Sequence, residues 1–343
     1  MSKILVTGDR GYIGSVLTDF LIQKGFQVSG FDLGLYDDYY VSNRNSQYAS
    51  SIGDVRHMSH KQFTDIEAVV WLAALSNDPL GEFNSTLTME INCDAVVQGA
   101  KLAKKMGVKR FIFLSSQSIY GISKANKELE EDSSIKAPVT AYAEAKWKAE
   151  QQLLELCDEN FCVTFLRPST VFGASPNLRC DIVYNNFIGS AITSGLIEVK
   201  SDGSPWRPII HINDLSLAIY ATLMALPEKV NARAYNVGIN GGNYTVKELA
   251  LAASDAVKDS RLIFTNEHTD PRTYQVSFNR INHELGSIFK PSWRLDNGGD
   301  QLYNYFKKIN LTKEKFLGPY TNRLAALKEQ ILLGKINKEI ERI

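Results

Sequence analysis

Tyr142 and Lys146 stand four residues apart in VTAYAEAKWKAEQQLLEL, a stretch whose Ala, Glu, Lys and Leu content favours helix, so both fall on one helical face. An ammonium beside a phenol favours the phenolate, and the pair predicts a tyrosine whose pKa falls toward working pH and serves as an acid/base. An ordinary surface helix with a chance pair is the alternative. The second chemical feature is KILVTGDRGYIGSVL, Lys3 to Leu17, where Gly8, Gly11 and Gly14 follow a short apolar run. A strand that turns over glycines into a helix beginning near Tyr12 leaves unpaired N–H groups and a positive helix end facing one point, which suits a pyrophosphate. A second apolar run, Phe26 to Phe31, ends at Asp32, where an acid can accept from both ribose hydroxyls of an adenosine. It would also repel a 2′-phosphate, so the expected cofactor is NAD rather than NADP.

The elements that must carry these residues alternate along the first half of the chain. Lys3 to Val6 reads as a buried strand, Ser15 to Lys24 as a helix stopped by Gly25, and Phe26 to Phe31 as the next strand. Leu33 to Ser46 is a polar loop over the adenosine end. A strand near Tyr48 to Gly53 runs into Asp54, which either accepts from an adenine amino group or caps the next helix. AVVWLAA, Ala68 to Ala74, is the apolar run of a strand buried on both faces, and Ser76 and Asn77 lie in the crevice loop after it. Thr86 to Met106 predicts one long helix with Asn92 near its centre. Arg110 to Leu114 is a strand that runs into SSQSIYG, and Cys162 to Leu166 is another, ending in Arg167-Pro168.

After Gly173 the alternation weakens. Leu196 to Val199, Pro208 to Ile212, Ala234 to Val237, Leu262 to Phe264 and Tyr274 to Phe278 read as short strands. Helices are expected around Leu215 to Leu226, Val246 to Val257 and Gln301 to Lys308. The expected architecture is α/β, a doubly wound parallel sheet with a smaller mixed lobe. The division expected is 1–173 for cofactor binding, with later segments able to return to it, 174–310 for the lobe, and 311–343 as a helical extension packing on its own chain or on a partner subunit.

Thirty-eight basic and 38 acidic residues in 343 give zero net charge and no footprint for nucleic acid. Cys93, Cys157, Cys162 and Cys180 have no CxxC spacing and read as structural thiols, which fits a reducing cytoplasm, and no metal site is expected. No apolar run approaches the roughly 20 residues of a membrane span, and no signal peptide is evident.

Taken together, TGDRGYIG, Asp32, Asp54, the LAA of Leu72 to Ala74, SSQSIYG of Ser115 to Gly121 and the Tyr142-Lys146 pair resemble the extended short-chain dehydrogenase/reductase family, and within it the nucleotide-sugar epimerases and dehydratases. The resemblance covers roughly residues 3–307. It implies a Rossmann-type cofactor domain, a nucleotide-sugar substrate and a homodimer formed through the helices Thr86 to Met106 and Ala141 to Leu156. It also implies that Ser116, Tyr142 and Lys146 are catalytic. Cofactor contacts are implied for Tyr12, Ile13, Val55, Leu72, Ala73, Ala74, Asn92, Ser115 and Pro168. Substrate contacts are implied for Gln117, Ser118, Thr170, Asn185, Asn186, Arg207 in WRPIIHINDL and Arg272 in DPRTYQV. Arginine suits a diphosphate because its planar fork pairs with phosphate oxygens; Asn186 has helix capping or lining as an equal alternative.

Departures narrow the chemistry. Where 4,6-dehydratases resemble Thr-Asp-Glu, this chain has Ser116, Gln117 and Ser118, so the acid pair that eliminates water is missing. The expected reaction is hydride abstraction and return at a carbinol carbon, C4, through a keto intermediate: an epimerase. A one-way 4-ketoreductase uses the same trio and stays open, with Asp32 arguing against its usual NADPH. Reactions that need a further base or a carboxylate site, decarboxylation among them, rank below. A nucleotide sensor without chemistry is the remote alternative, since both Tyr142 and Lys146 are present.

Overall fold

The computed structural model describes residues 2–45, 47–122, 127–267 and 273–343. Seven strands form one sheet: β1 (Lys3–Thr7), β2 (Gln27–Asp32), β3 (Ala49–Ile52), β4 (Ala68–Trp71), β5 (Arg110–Leu114), β6 (Cys162–Pro168) and, after three strands of the second lobe, β10 (Arg233–Val237). Their order is β10-β6-β5-β4-β1-β2-β3, and every pairing is parallel. The doubly wound sheet expected from the alternation is present. The strand at residues 234–237, read among those of the lobe, returns to this sheet and pairs with β6.

Helices cover both faces, as an all-parallel sheet requires. On the sheet lie α1 (Gly14–Gln23), α4 (Ala95–Lys105), α5 (Ala141–Leu154) and α7 (Ile212–Met224); the short α2 (Asp78–Gly81) and α3 (Ser85–Met89) precede α4, and α6 (Val183–Ser194) packs in the second lobe. Side chains alternate across β1. Ile4 and Val6 enter one apolar cluster with Leu17 and Leu21 of α1 and Leu215 and Ile219 of α7. Leu5 enters the other, with Trp71, Phe111 and Phe113 beneath Val96 and Ala100 of α4 and Ala145 and Ala149 of α5. Close packing there fixes small residues: a Cβ on Gly99 would come within 2.2 Å of the Trp71 ring.

The long helix expected over residues 86–106 is interrupted. Between α3 and α4 the segment Glu90–Asp94 is a π-helical turn, and it carries Asn92 inward.

The second lobe holds a three-stranded sheet, β11 (Asn243–Thr245), β9 (Trp206–His211) and β7 (Thr170–Phe172), and a parallel pair, β12 (Arg261–Phe264) with β8 (Leu196–Val199). Tyr274–Phe278 is not a strand. A single bridge joins Leu129 to Val276, and the Asn243 side chain takes the opposite edge: its Oδ1 accepts from Val276 N at 2.9 Å and its Nδ2 donates to Val276 O at 3.0 Å.

The chain ends in a helix, Arg323–Leu332, capped by the Asn322 side chain, which accepts from Ala325 N. Of the two placements weighed for this extension, packing on its own chain is present: Leu327, Ile336 and Ile340 share an apolar cluster with Leu75, Leu80 and Leu87. Among the described residues no helix is long and apolar enough to cross a membrane. The four cysteines are free thiols, three of them buried.

Candidate active site

From β1 the chain winds outward through β2 and β3, then returns to β4 on the opposite side of β1, so the sheet reverses between β1 and β4. Ligands bind outside the carboxyl ends of strands at such a reversal. The glycine turn occupies this point. Gly8 has φ +74°, and a Cβ there would lie 2.7 Å from Ala73 N; a Cβ on Gly14 would lie 2.0 Å from Gly8 O. The two glycines therefore let the turn fold onto the end of β4 and into α1.

A cleft opens above this turn. Gly8, Gly11, Tyr12, Ile13, Gly14, Asp32, Asp54, Val55, Leu72, Ala73, Ala74 and Ser76 line it. Asp32 accepts from Arg10 N at 3.2 Å and from Gly34 N at 2.7 Å. Burial, together with the Asp9 carboxylate, raises it to about 6. Asp54 caps the short 3-10 turn Val55–His57 through Arg56 N and pairs with the Arg56 guanidinium at 2.5 Å, so the capping role weighed for it is realised at the cleft edge. The Tyr12 hydroxyl donates to Gly173 O at 2.8 Å and ties the glycine turn to the second lobe. A dinucleotide fits these residues: the turn offers backbone N–H groups and Asp32 an acceptor.

Asn92 is completely buried and does not line the cleft. Its Oδ1 accepts from Leu75 N at 2.8 Å and its Nδ2 donates to Leu75 O at 3.0 Å, so the π turn holds the loop after β4 in place.

The proposed catalytic residues gather at the end of the neighbouring strand, β5, outside the lining of the cleft. Ser115 and Ser116 follow β5 directly. Ser115 Oγ is buried without a partner. Ser116 Oγ accepts from Ser118 N at 3.1 Å and from Ser118 Oγ at 2.8 Å, which occupies both acceptor positions and leaves its proton to donate. Tyr142 sits in the first turn of α5, whose cap, Thr140, accepts from Ala143 N and donates to Asp78 at 2.7 Å. Gly81 of α2 abuts it: a Cβ there would come within 2.9 Å of the Tyr142 Cβ.

Lys146 is 2% exposed and donates to Leu114 O at 2.8 Å. Burial lowers it to about 7, against the pull of Glu150. Burial also raises the Tyr142 phenol to about 12, with the Ser116 hydroxyl opposing and Asp78 adding. The lowered phenol expected from the four-residue spacing is corrected here. Both groups rest toward their neutral forms because each has lost hydration and the lysine is committed to a carbonyl.

A profile described as the NAD dependent epimerase/dehydratase family matches residues 4–238. The chain belongs to this family. As an NAD-dependent epimerase/dehydratase it is an enzyme with NAD as cofactor. It is similar to UDP-glucuronic acid decarboxylase 6 of Arabidopsis thaliana, 25% identical over 308 residues that cover 86% of each chain. It is also similar to UDP-glucose 4-epimerase of Bacillus subtilis, 28% identical over 73% of this chain and 80% of the relative. A UDP-glucuronic acid 4-epimerase from Bacillus cereus, solved with UDP-glucuronic acid and NAD, superposes with a TM-score of 0.76 over 90% of this chain and 99% of that one, at 21% identity.

The substrate candidates of this epimerase/dehydratase are scattered. Asn185 is fully buried on α6: its Oδ1 accepts from Gly173 N, and its Nδ2 donates to Arg179 O at 2.7 Å and to Tyr12 Oη at 3.2 Å. It braces the lobe against the glycine turn. Asn186, the next residue, is exposed and donates to Cys180 O. Gln117 is turned inward too, donating to Arg167 O and Ser169 Oγ. Asn77 caps α2 and donates to Asp181 at 2.9 Å. Ser76 accepts from Arg179 at 3.3 Å in the cleft. Thr170 begins β7, Pro168 ends β6 and Arg207 lies on β9 with Nη1 donating to Trp206 O. Arg272 lies outside the described residues.

Of the four charged residues that line the cleft, Asp32, Asp54, Arg179 and Arg323, the sequence did not point to the two arginines. Each lies far along the chain from the glycine turn, and no local motif marks it.

Proposed function

We propose that the enzyme epimerises a nucleotide-activated sugar at C4. The observation that supports this reading is the convergence of Ser116, Tyr142 and Lys146 at the end of β5 with no carboxylate at residues 116–118. Bound NAD, held by the glycine turn and Asp32, would supply reversible hydride exchange at the carbinol carbon, with return to the opposite face of the keto intermediate giving the epimer. Tyr142 accepts the sugar hydroxyl proton and later returns it. Ser116, its acceptor positions filled by Ser118, donates to the same sugar oxygen and fixes it. Lys146 must be held in its cationic form for the phenol to come down from about 12, and ribose hydroxyls would do this by replacing the hydration lost on burial. The homodimer implied by the resemblance would form through α4 and α5, and a light-scattering mass of one chain would remove it.

Decarboxylation of a nucleotide-linked uronic acid is the second reading, favoured by the similarity to UDP-glucuronic acid decarboxylase 6. It shares the first oxidation. Incubation with UDP-glucose and UDP-glucuronic acid in deuterated buffer, followed by NMR, separates the two. The C4 epimer free of solvent deuterium is expected. A pentose product with loss of carbon dioxide, or deuterium at C3 or C5, would overturn the epimerase reading.

A further inference from the structure

The carboxyl-terminal segment is fastened across the loop that follows β2. Tyr39 donates to Glu329 at 2.5 Å, Lys335 pairs with Asp38 at 2.7 Å, and Arg342 donates to Leu33 O at 2.7 Å and Gly34 O at 2.9 Å. This anchoring carries Arg323 into the cofactor cleft. The residue is 1% exposed, lies with its guanidinium carbon 4.4 Å from the Tyr36 ring centroid, and donates Nη2 to Asn177 O at 2.7 Å. Its Nη1 has no partner, and no ion pair among the described residues involves it. Arg179 lines the same cleft, paired with Asp181 at 2.8 Å and donating to Ser76. Two guanidinium groups thus share the charge of Asp181, while the carboxylates that line the cleft are held elsewhere, Asp32 by backbone donors and Asp54 by Arg56.

A buried guanidinium with an unmatched N–H is costly unless an anion completes it. The cleft is the one above Gly8, Gly11 and Gly14. The anionic part of NAD is its pyrophosphate, and paired N–H donors match phosphate oxygens. We infer that Arg323, supplied by the carboxyl-terminal segment, and Arg179 hold the NAD pyrophosphate together with the glycine turn, so the end of the chain is part of the cofactor site. This rests on the cofactor and not on the epimerase reading. It also gives the extension a task, keeping the dinucleotide in place through a redox-neutral cycle.

Titration calorimetry of the full chain with NAD, ADP-ribose and adenosine tests it. Arg323→Met should weaken NAD and ADP-ribose by about 10- to 100-fold while leaving adenosine within about twofold, as expected when a charge-assisted phosphate contact is lost. R323K should recover part of the loss, and R179Q should reproduce its pattern. Unchanged NAD affinity in a folded R323M overturns the proposal. So does an equal loss for adenosine, which would mark Arg323 as a purely structural anchor, and so does a loss confined to UDP binding on the NAD-loaded enzyme, which would assign the arginines to the substrate diphosphate. If R323M fails to fold by circular dichroism, R179Q and R323K carry the same comparison, and the same three outcomes overturn the proposal.

Discussion

The Lys146 ammonium lies 6.0 Å from the centroid of the Tyr142 ring and directs its hydrogen bond to Leu114 O, at the end of β5, with the Phe113 ring 4.6 Å away. The lysine is thus part of the strand end before it is part of the chemistry. Burial leaves the two side chains near a phenol and a half-protonated amine at neutral pH, and ligand binding must supply the missing polarity.

Charge on Lys146 disfavours the empty fold. A lysine at about 7 in the folded state binds fewer protons than in the unfolded chain between pH 7 and its ordinary range, so its penalty is full below pH 7 and fades as pH rises. Lys146→Met should therefore raise the melting temperature of the cofactor-free protein more at pH 7 than at pH 10, while abolishing turnover. A variant that is destabilised equally at both pH values would contradict the burial argument.

Tyr142→Phe should keep NAD affinity within about twofold and reduce turnover by about 10²- to 10⁴-fold, the usual contribution of a positioned acid/base. Near-normal turnover would remove Tyr142 from the reaction. Ser116→Ala should give a smaller loss, because the tyrosine still exchanges the proton while the sugar oxygen loses one donor.

Asp32 at about 6 is raised above its unfolded value, so its ionisation costs the empty fold stability as pH climbs from about 4 through 6. Ribose hydroxyls donating to the carboxylate favour the ionised form. NAD affinity should accordingly be flat above pH 7 and fall below pH 6, read by calorimetry from pH 5 to 8. Asp32→Asn should bind weakly and lose that slope; a retained slope would place the titrating group elsewhere.

Gly8→Ala combines a left-handed backbone with a contact 2.7 Å from Ala73 N. Strain of about 1–3 kcal/mol is expected, with the turn displaced from β4 and NAD affinity lost. Urea unfolding and NAD titration on one preparation measure both.

Arg167 at the end of β6 clamps α5 through Glu150, with Nη2 to Oε2 at 2.6 Å and both side chains 4% exposed. Removing one partner strands a buried charge, so Glu150→Ala should cost about 3–5 kcal/mol in urea unfolding and loosen the helix that carries Tyr142 and Lys146. A change under about 1 kcal/mol would show that water reaches this pair.

The sequence alone determined the features that local backbone geometry enforces. Three glycines after an apolar run specify a tight turn wherever they occur, Asp32 sits at the end of the adjacent strand, and a four-residue spacing places Tyr142 and Lys146 on one face of a helix. The parallel sheet was legible for the same reason, in apolar runs alternating with helical stretches. Tertiary structure decided everything that depends on what surrounds a side chain. Asn185 and Gln117 carry the right groups, but packing turns both inward to backbone partners. The Tyr142 phenol rises instead of falling because burial outweighs a lysine whose hydrogen bond is already spent. Arg179 and Arg323 meet at the glycine turn only because the second lobe and the carboxyl-terminal segment fold back over it. Spacing fixes which residues share an element; desolvation and long-range packing fix which atoms remain free to react.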